Sequence, residues 1–213
     1  MFGSQNFGYN DKNSDKDWLE LVYPTWEDIV NNRATSKEHI DNNGSHTKIY
    51  DIRLLRGMIE KCNINSTQIF YSVEQYDYDD MAWFIQNRER IIRATPDKLA
   101  HVSAKMIHSM IRAEHPTPKD VVRATAFANL VDKIINTDYL GTTVDPKLRA
   151  YRGYLSSIEH TDEYYKIIST LKARSDKLLI ESEKYESRRD YEIINQVHNE
   201  ITRLVKDHLI KTL

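Results

Sequence analysis

The sequence predicts an all-α fold: a helical bundle with an irregular N-terminal arm and a C-terminal helical hairpin or long helix. Three observations carry this. From Tyr50 onward, apolar residues recur at three- and four-residue intervals, the period of a helix with one buried face. The dipeptide Thr-Pro occurs at Thr95-Pro96 and Thr117-Pro118, where threonine caps a helix and proline takes the first turn, in which its missing N–H is not needed. The stretch 161–213 contains neither glycine nor proline.

Residues 1–48 make the arm. Asn, Asp, Ser and Gly dominate there, and apolar residues cluster at Trp18, Leu19, Leu21, Val22 and Tyr23, then at Trp26, Ile29 and Val30. Thr25 with Asp28 three residues on is a capping signal, so a helix of one or two turns is expected to end near Asn31 or Asn32. Nothing in the chain reads as a confident strand, although the apolar run 68–73 is short enough to be extended.

Residues 49–160 make the bundle. Ile52, Leu55, Ile59 and Cys62 form the first helical stripe, and Asn63-Ile64-Asn65 breaks it. A second helix is expected through Ile69, Phe70 and Val73, and a third through Met81, Phe84, Ile85, Arg88, Ile91 and Ile92. The helix opened by Thr95 places Leu99, Val102, Met106, Met110 and Ala113 on one face and stops before Pro116. The helix opened by Thr117 is apolar over most of its circumference, from Val121 to Ile135, with Thr125, Asn129 and Asp132 as a narrow polar strip; it should be the central core helix. A loop from Gly141 to Pro146 leads into a helix through Leu148, Tyr151, Leu155 and Ile158.

Residues 161–213 begin with a heptad seam of Tyr164, Ile168, Leu171, Ser175, Leu178, Ser182 and Tyr185. Downstream the apolar set shifts phase to Ile194, Val197, Ile201, Leu204 and Val205. A turn near Glu186–Asp190 and a helical hairpin are therefore expected, one long helix being the alternative.

Composition narrows the function classes. The chain is 40% hydrophobic and 29% charged, enough apolar material for a core. Thirty Lys plus Arg against thirty-two Asp plus Glu leave a net charge of −2, so no global electrostatic case for nucleic acid or an anionic membrane exists. The single cysteine, Cys62, is expected to be a buried structural thiol in a reducing compartment. No run approaches the roughly 20 apolar residues of a membrane span, and the N-terminus lacks the features of a signal peptide. A cytoplasmic protein is expected, or a virion component if the chain is viral.

Chemistry-bearing constellations are weak. His101, His108 and His115 recur every seven residues, too far apart to converge on one ion from a single helix, and are expected on a solvated face. Glu74, Asp77, Asp79 and Asp80 cluster without the glycine-containing loop of a calcium site, and the last two suit the acidic first turn of a helix. Phosphate-cradling and nucleophile motifs are missing from the sequence. No catalytic residue, metal ligand or cofactor is therefore expected, and the chain is not expected to be an enzyme.

Thirteen tyrosines and a tryptophan-bearing arm point instead to protein interfaces. The expected function is a non-enzymatic interaction or assembly protein, homo-oligomeric or part of a larger assembly, with Trp18, Tyr23 and Trp26 contacting the partner. By architectural analogy, its size and plan suit a connector or completion protein of a virus particle. The alternative is a DNA-binding adaptor, such as a regulator or packaging recognition subunit. It would use residues 50–75 as a helix-turn-helix and Arg88, Arg90 and Arg93 on phosphate. The absence of Lys and Arg between Ile64 and Tyr78 counts against that alternative, because phosphate contacts supply most of the affinity.

Overall fold

The computed structural model describes residues 7, 8, 10, 17–42, 44–62, 69–71, 79–137 and 145–212. In chain order the elements are β1 (Trp18–Val22), α1 (Trp26–Val30), β2 (Ser36–Ile40), β3 (His46–Asp51), α2 (Leu54–Glu60), a 3-10 turn (Asp79–Met81) and α3 (Ala82–Ile92). They continue with α4 (Pro96–Ile111), α5 (Pro118–Asn136), α6 (Lys147–Ser157), α7 (Asp162–Glu181), a 3-10 segment (Ser182–Arg188) and α8 (Tyr191–Thr212). Two compact units share the chain. Unit 1 takes Met1–Gly3, Asp15–Ala94 and Asp190–Leu213, and unit 2 takes Ser4–Ser14 and Thr95–Arg189. Unit 1 thus draws on the arm, on the bundle segment and on the end of the last segment.

Helices dominate, as the periodicity requires, but the arm is not irregular. It holds a three-stranded sheet in the order β1-β3-β2, a correction to the reading without strands. β1 runs parallel to β3, from Trp18 opposite Thr47 to Val22 opposite Asp51, and β2 pairs antiparallel with β3, from Ser36 opposite Tyr50 to Ile40 opposite His46. At the β2–β3 turn Asp41 accepts the Ser45 N–H at 2.9 Å and Gly44 adopts φ +82°, a left-handed conformation that glycine takes without a side-chain clash. The strands hid because every residue of β2 is exposed and β1 is half-buried along most of its length, so neither shows a clean inside–outside alternation.

In unit 1, α8 packs on α2 and α3, and α2 packs on β3. Leu55, Met58 and Ile59 of α2, Phe84, Ile91 and Ile92 of α3, and Ile193, Ile194, Val197, Ile201 and Leu204 of α8 are buried. Asp51 is 1% exposed and carries the Arg53 guanidinium at the end of β3. Cys62 is buried, as expected of a structural thiol.

In unit 2, α4 packs on α5 and α7, α5 also meets α6 and α7, and the 3-10 segment lies on α4. Thr117 and Asp120 close a capping box at the head of α5. All ten apolar residues of α5 from Val121 to Ile135 are buried, which makes it the core helix of this unit. Its polar strip is not left to water: Arg174 of α7 donates to Asn129 and pairs with Asp132. The seam of α7 is likewise inward, and both of its serines are buried with their hydroxyls on backbone carbonyls, Ser175 on Ala104 and Ser182 on Leu179. Tyr164, also on that seam, donates its hydroxyl to the Pro116 carbonyl at 2.6 Å.

The break expected between Glu186 and Asp190 is present, since the 3-10 segment ends at Arg188 and α8 begins at Tyr191. α7 packs within unit 2 and α8 within unit 1, so each helix finds its own neighbours.

Two predictions follow from unit 2. Replacing Tyr164→Phe leaves the buried Pro116 carbonyl without its donor and should cost about 1–3 kcal/mol in urea unfolding. The second concerns Asp97, which the Arg189 guanidinium contacts at 2.9 Å and holds below its ordinary carboxyl pKa. Because the folded value is the lower one, this pair stabilises the fold above the unfolded carboxylate value of about 3.9, and the contribution disappears as pH falls below it. Urea midpoints should drop between about pH 4 and pH 2 in the parent protein, and less steeply in Asp97→Asn.

Candidate functional site

α1 is held by its ends rather than by burial. Thr25 Oγ1 accepts from the Asp28 N–H at 3.1 Å, and Asp28 Oδ2 accepts from the Thr25 N–H at 3.0 Å. These hydrogen bonds from Thr25 keep the Asp28 carboxyl below its ordinary pKa. No residue of the helix is buried. Trp26 and Val30 are 57% and 64% exposed, which leaves the apolar face of a capped helix uncovered.

That face forms one side of a groove of about 660 Å³ within unit 1. Trp26 and Ile29 line it from α1, and Ile201, Val205, Leu209 and Ile210 line it from α8, with Ile210 65% exposed. Arg53, Arg56, His198, Thr202 and Lys206 complete the lining, and no carboxylate belongs to it. Arg53 is drawn onto Asp51 and Arg56 onto Glu60 at 2.8 Å, whereas Lys206 has no ion-pair partner among the described residues. Beside the groove Tyr23 is pinned between elements: its ring stacks on His208 of α8 at 4.5 Å, and its hydroxyl donates to Asp80 at 2.9 Å. Burial first, then the Asp80 hydrogen bond, pushes the Tyr23 hydroxyl well above its ordinary pKa, so it remains a donor at neutral pH.

The three aromatic residues expected on the arm therefore have different places. Trp26 faces the groove, Tyr23 is engaged inside the unit, and Trp18 lies half-buried in β1. The three arginines of the alternative reading are met within the fold. Arg88 lies over the Tyr71 ring at 4.8 Å, Arg90 pairs with Asp190 at 2.7 Å, and Arg93 pairs with Glu89. Residues 63–68 and 72–75 of the segment expected to form a helix-turn-helix lie outside the described residues, as do Glu74 and Asp77.

Of the three recurring histidines, His115, beyond the end of α4, is exposed, and His101 and His108 of α4 are half-buried. His108 Nδ1 lies 3.5 Å from Ser175 Oγ and 3.6 Å from Asp176 Oδ1 of α7, and His115 Nδ1 lies 2.7 Å from the Tyr165 hydroxyl. A serine, a histidine and an aspartate thus meet, but not as a relay. Ser175 and Asp176 address the same ring nitrogen, and the Ser175 hydroxyl gives its proton to the Ala104 carbonyl. Among the described residues, no group of three His, Cys, Asp or Glu could hold a metal ion, and no helix is long and apolar enough to cross a membrane.

Comparison with protein-family models gives no match, and neither does comparison with curated proteins or with solved structures.

On the α8 side of the groove, Leu209 and Ile210 escaped the sequence reading, whereas Ile201 and Val205 belong to the apolar set it marked. The inner stripe Ile194, Val197, Ile201 and Leu204 accounts for one face of α8, and Leu209 and Ile210 fall outside it as a second apolar strip. That surplus was the available signal.

The groove should be separable from the fold. Trp26→Ala and Ile210→Ala are expected to shift unfolding free energy by less than about 0.5 kcal/mol, as surface changes do. Leu204→Ala, which empties a buried site outside the groove, should cost about 2–5 kcal/mol in the same urea titrations.

Proposed function

We propose that the protein is a non-enzymatic interaction or assembly component whose protein partner seats in the groove between α1 and α8. The observation that carries this is the joint exposure of Trp26 and Ile210 in one groove. Large contiguous apolar surface is seldom left open on a monomer without a binding role, and tryptophan is the side chain most enriched where binding energy concentrates. The capping box of α1 and the Tyr23–His208 stack support the reading, because a surface already in its bound shape loses little entropy on docking. Participation in an oligomer or in a larger particle, in the cytoplasm or in a virion, would proceed through this surface.

The test is site-specific photo-crosslinking in the cells that make the protein. A photoreactive residue replacing Trp26, or replacing Ile210, should give the same discrete protein adduct, while one replacing the exposed Ile180 of unit 2 should not. The absence of any adduct from both groove positions would remove the proposal.

A further inference from the structure

Resting on that reading, we infer that the occupant of the groove is an amphipathic helix with an acidic border, supplied by another protein. The length argument comes from α8. Its lining residues run from His198 to Ile210, about 18 Å at 1.5 Å per residue, the contact length of roughly three turns of a partner helix. Ile201, Val205 and Leu209 recur every four residues along that span, and Trp26 stands across from them on α1. An apolar trough between two helical walls receives a helix whose anchors fall at i, i+3 or i+4, and i+7.

The charge argument selects among such helices. Arg53, Arg56, His198 and Lys206 border the trough and no carboxylate lines it, although the chain as a whole carries a net charge of −2. A cationic border on a slightly anionic protein is a local feature, complementary to Glu and Asp flanking the partner's apolar stripe. The same border repels a basic amphipathic helix and so supplies specificity as well as attraction. Lys206 carries most of this discrimination, since Arg53 and Arg56 are partly offset by Asp51 and Glu60.

The probes are two labelled synthetic helices with identical leucine anchors, one flanked by glutamate and the other by lysine, titrated into the intact protein and followed by fluorescence anisotropy. The glutamate helix should bind at least about tenfold more tightly, with a preference that shrinks as salt rises. Lys206→Glu, with an unchanged circular dichroism spectrum, should erase or reverse the preference. Ile210→Ser and Trp26→Ala should weaken binding of the glutamate helix without changing the sign of the preference. Equal affinity for the two helices, or no binding of either, overturns the inference. So does binding of phosphatidylglycerol vesicles in place of the glutamate helix. If light scattering shows a dimer that Ile210→Ser converts to monomer, the occupant is a second copy. This inference then falls, while the docking role proposed above stands. Loss of the photo-adducts from positions 26 and 210 would instead remove both.

Discussion

Asp190 is the residue on which unit 1 depends. Its backbone N–H donates to the Ala94 carbonyl at 2.9 Å, and its carboxylate pairs with Arg90. The same carboxylate accepts the Ile193 N–H in the first turn of α8 at 3.0 Å. The chain leaves unit 1 after Ala94 and re-enters at Asp190, so these three bonds join the exit and the return at one point and start α8 there. Only from that start does α8 lie on α2 and α3, and only then does its outer strip stand opposite Trp26. Arg189, one position earlier, is bound to Asp97 within unit 2, so adjacent residues are each tied to a partner more than ninety positions away.

Local signals were legible wherever a local interaction decides the structure. The Thr25–Asp28 box formed as expected and Thr117 caps α5, because a cap involves only neighbouring residues, whereas Thr95 stands at the N-cap of α4 without a side-chain cap hydrogen bond. The circumference of α5 and the seam of α7 were legible from the apolar period, but in α4 the buried face is Leu99, Ala100, Ser103, Ala104, Ile107 and Ile111, while Val102, Met106 and Met110 of the expected face are half-buried and Ala113 is exposed. The sheet was not legible, because β1 pairs with a strand more than twenty residues on and no short-range pattern records a parallel partner. The one local trace in the sequence is Asn43-Gly44, a favoured hairpin dipeptide between the residues of β2 and β3, whose flanks are largely polar. The destination of α8 was also hidden. A phase slip in the apolar pattern announces a break, and does not say whether the second helix folds back on the first or joins another core.

Polar residues on apolar seams followed one rule throughout unit 2. Ser175 and Ser182 are buried because each returns its hydroxyl to a backbone carbonyl, and the half-buried Asn129 and Asp132 are met by Arg174. A heptad reading marks such positions as flaws in the seam, yet each is a satisfied contact that a leucine could not make. The groove shows the converse: Trp26 and Ile210 on its walls stay exposed while Ile201 and Val205 are buried, so the same accounting that explains the serines singles out Trp26 and Ile210.

The discontinuity of unit 1 has a consequence in time. Ribosomes deliver α2 and α3 well before α8, and all of Thr95–Arg189 must emerge in between. During that interval Leu55, Ile59, Phe84 and Ile91 lack the helix that covers them, and the wall of the trough that holds Leu209 and Ile210 does not yet exist. Under the docking role proposed above, a nascent chain cannot seat the partner before α8 has been made.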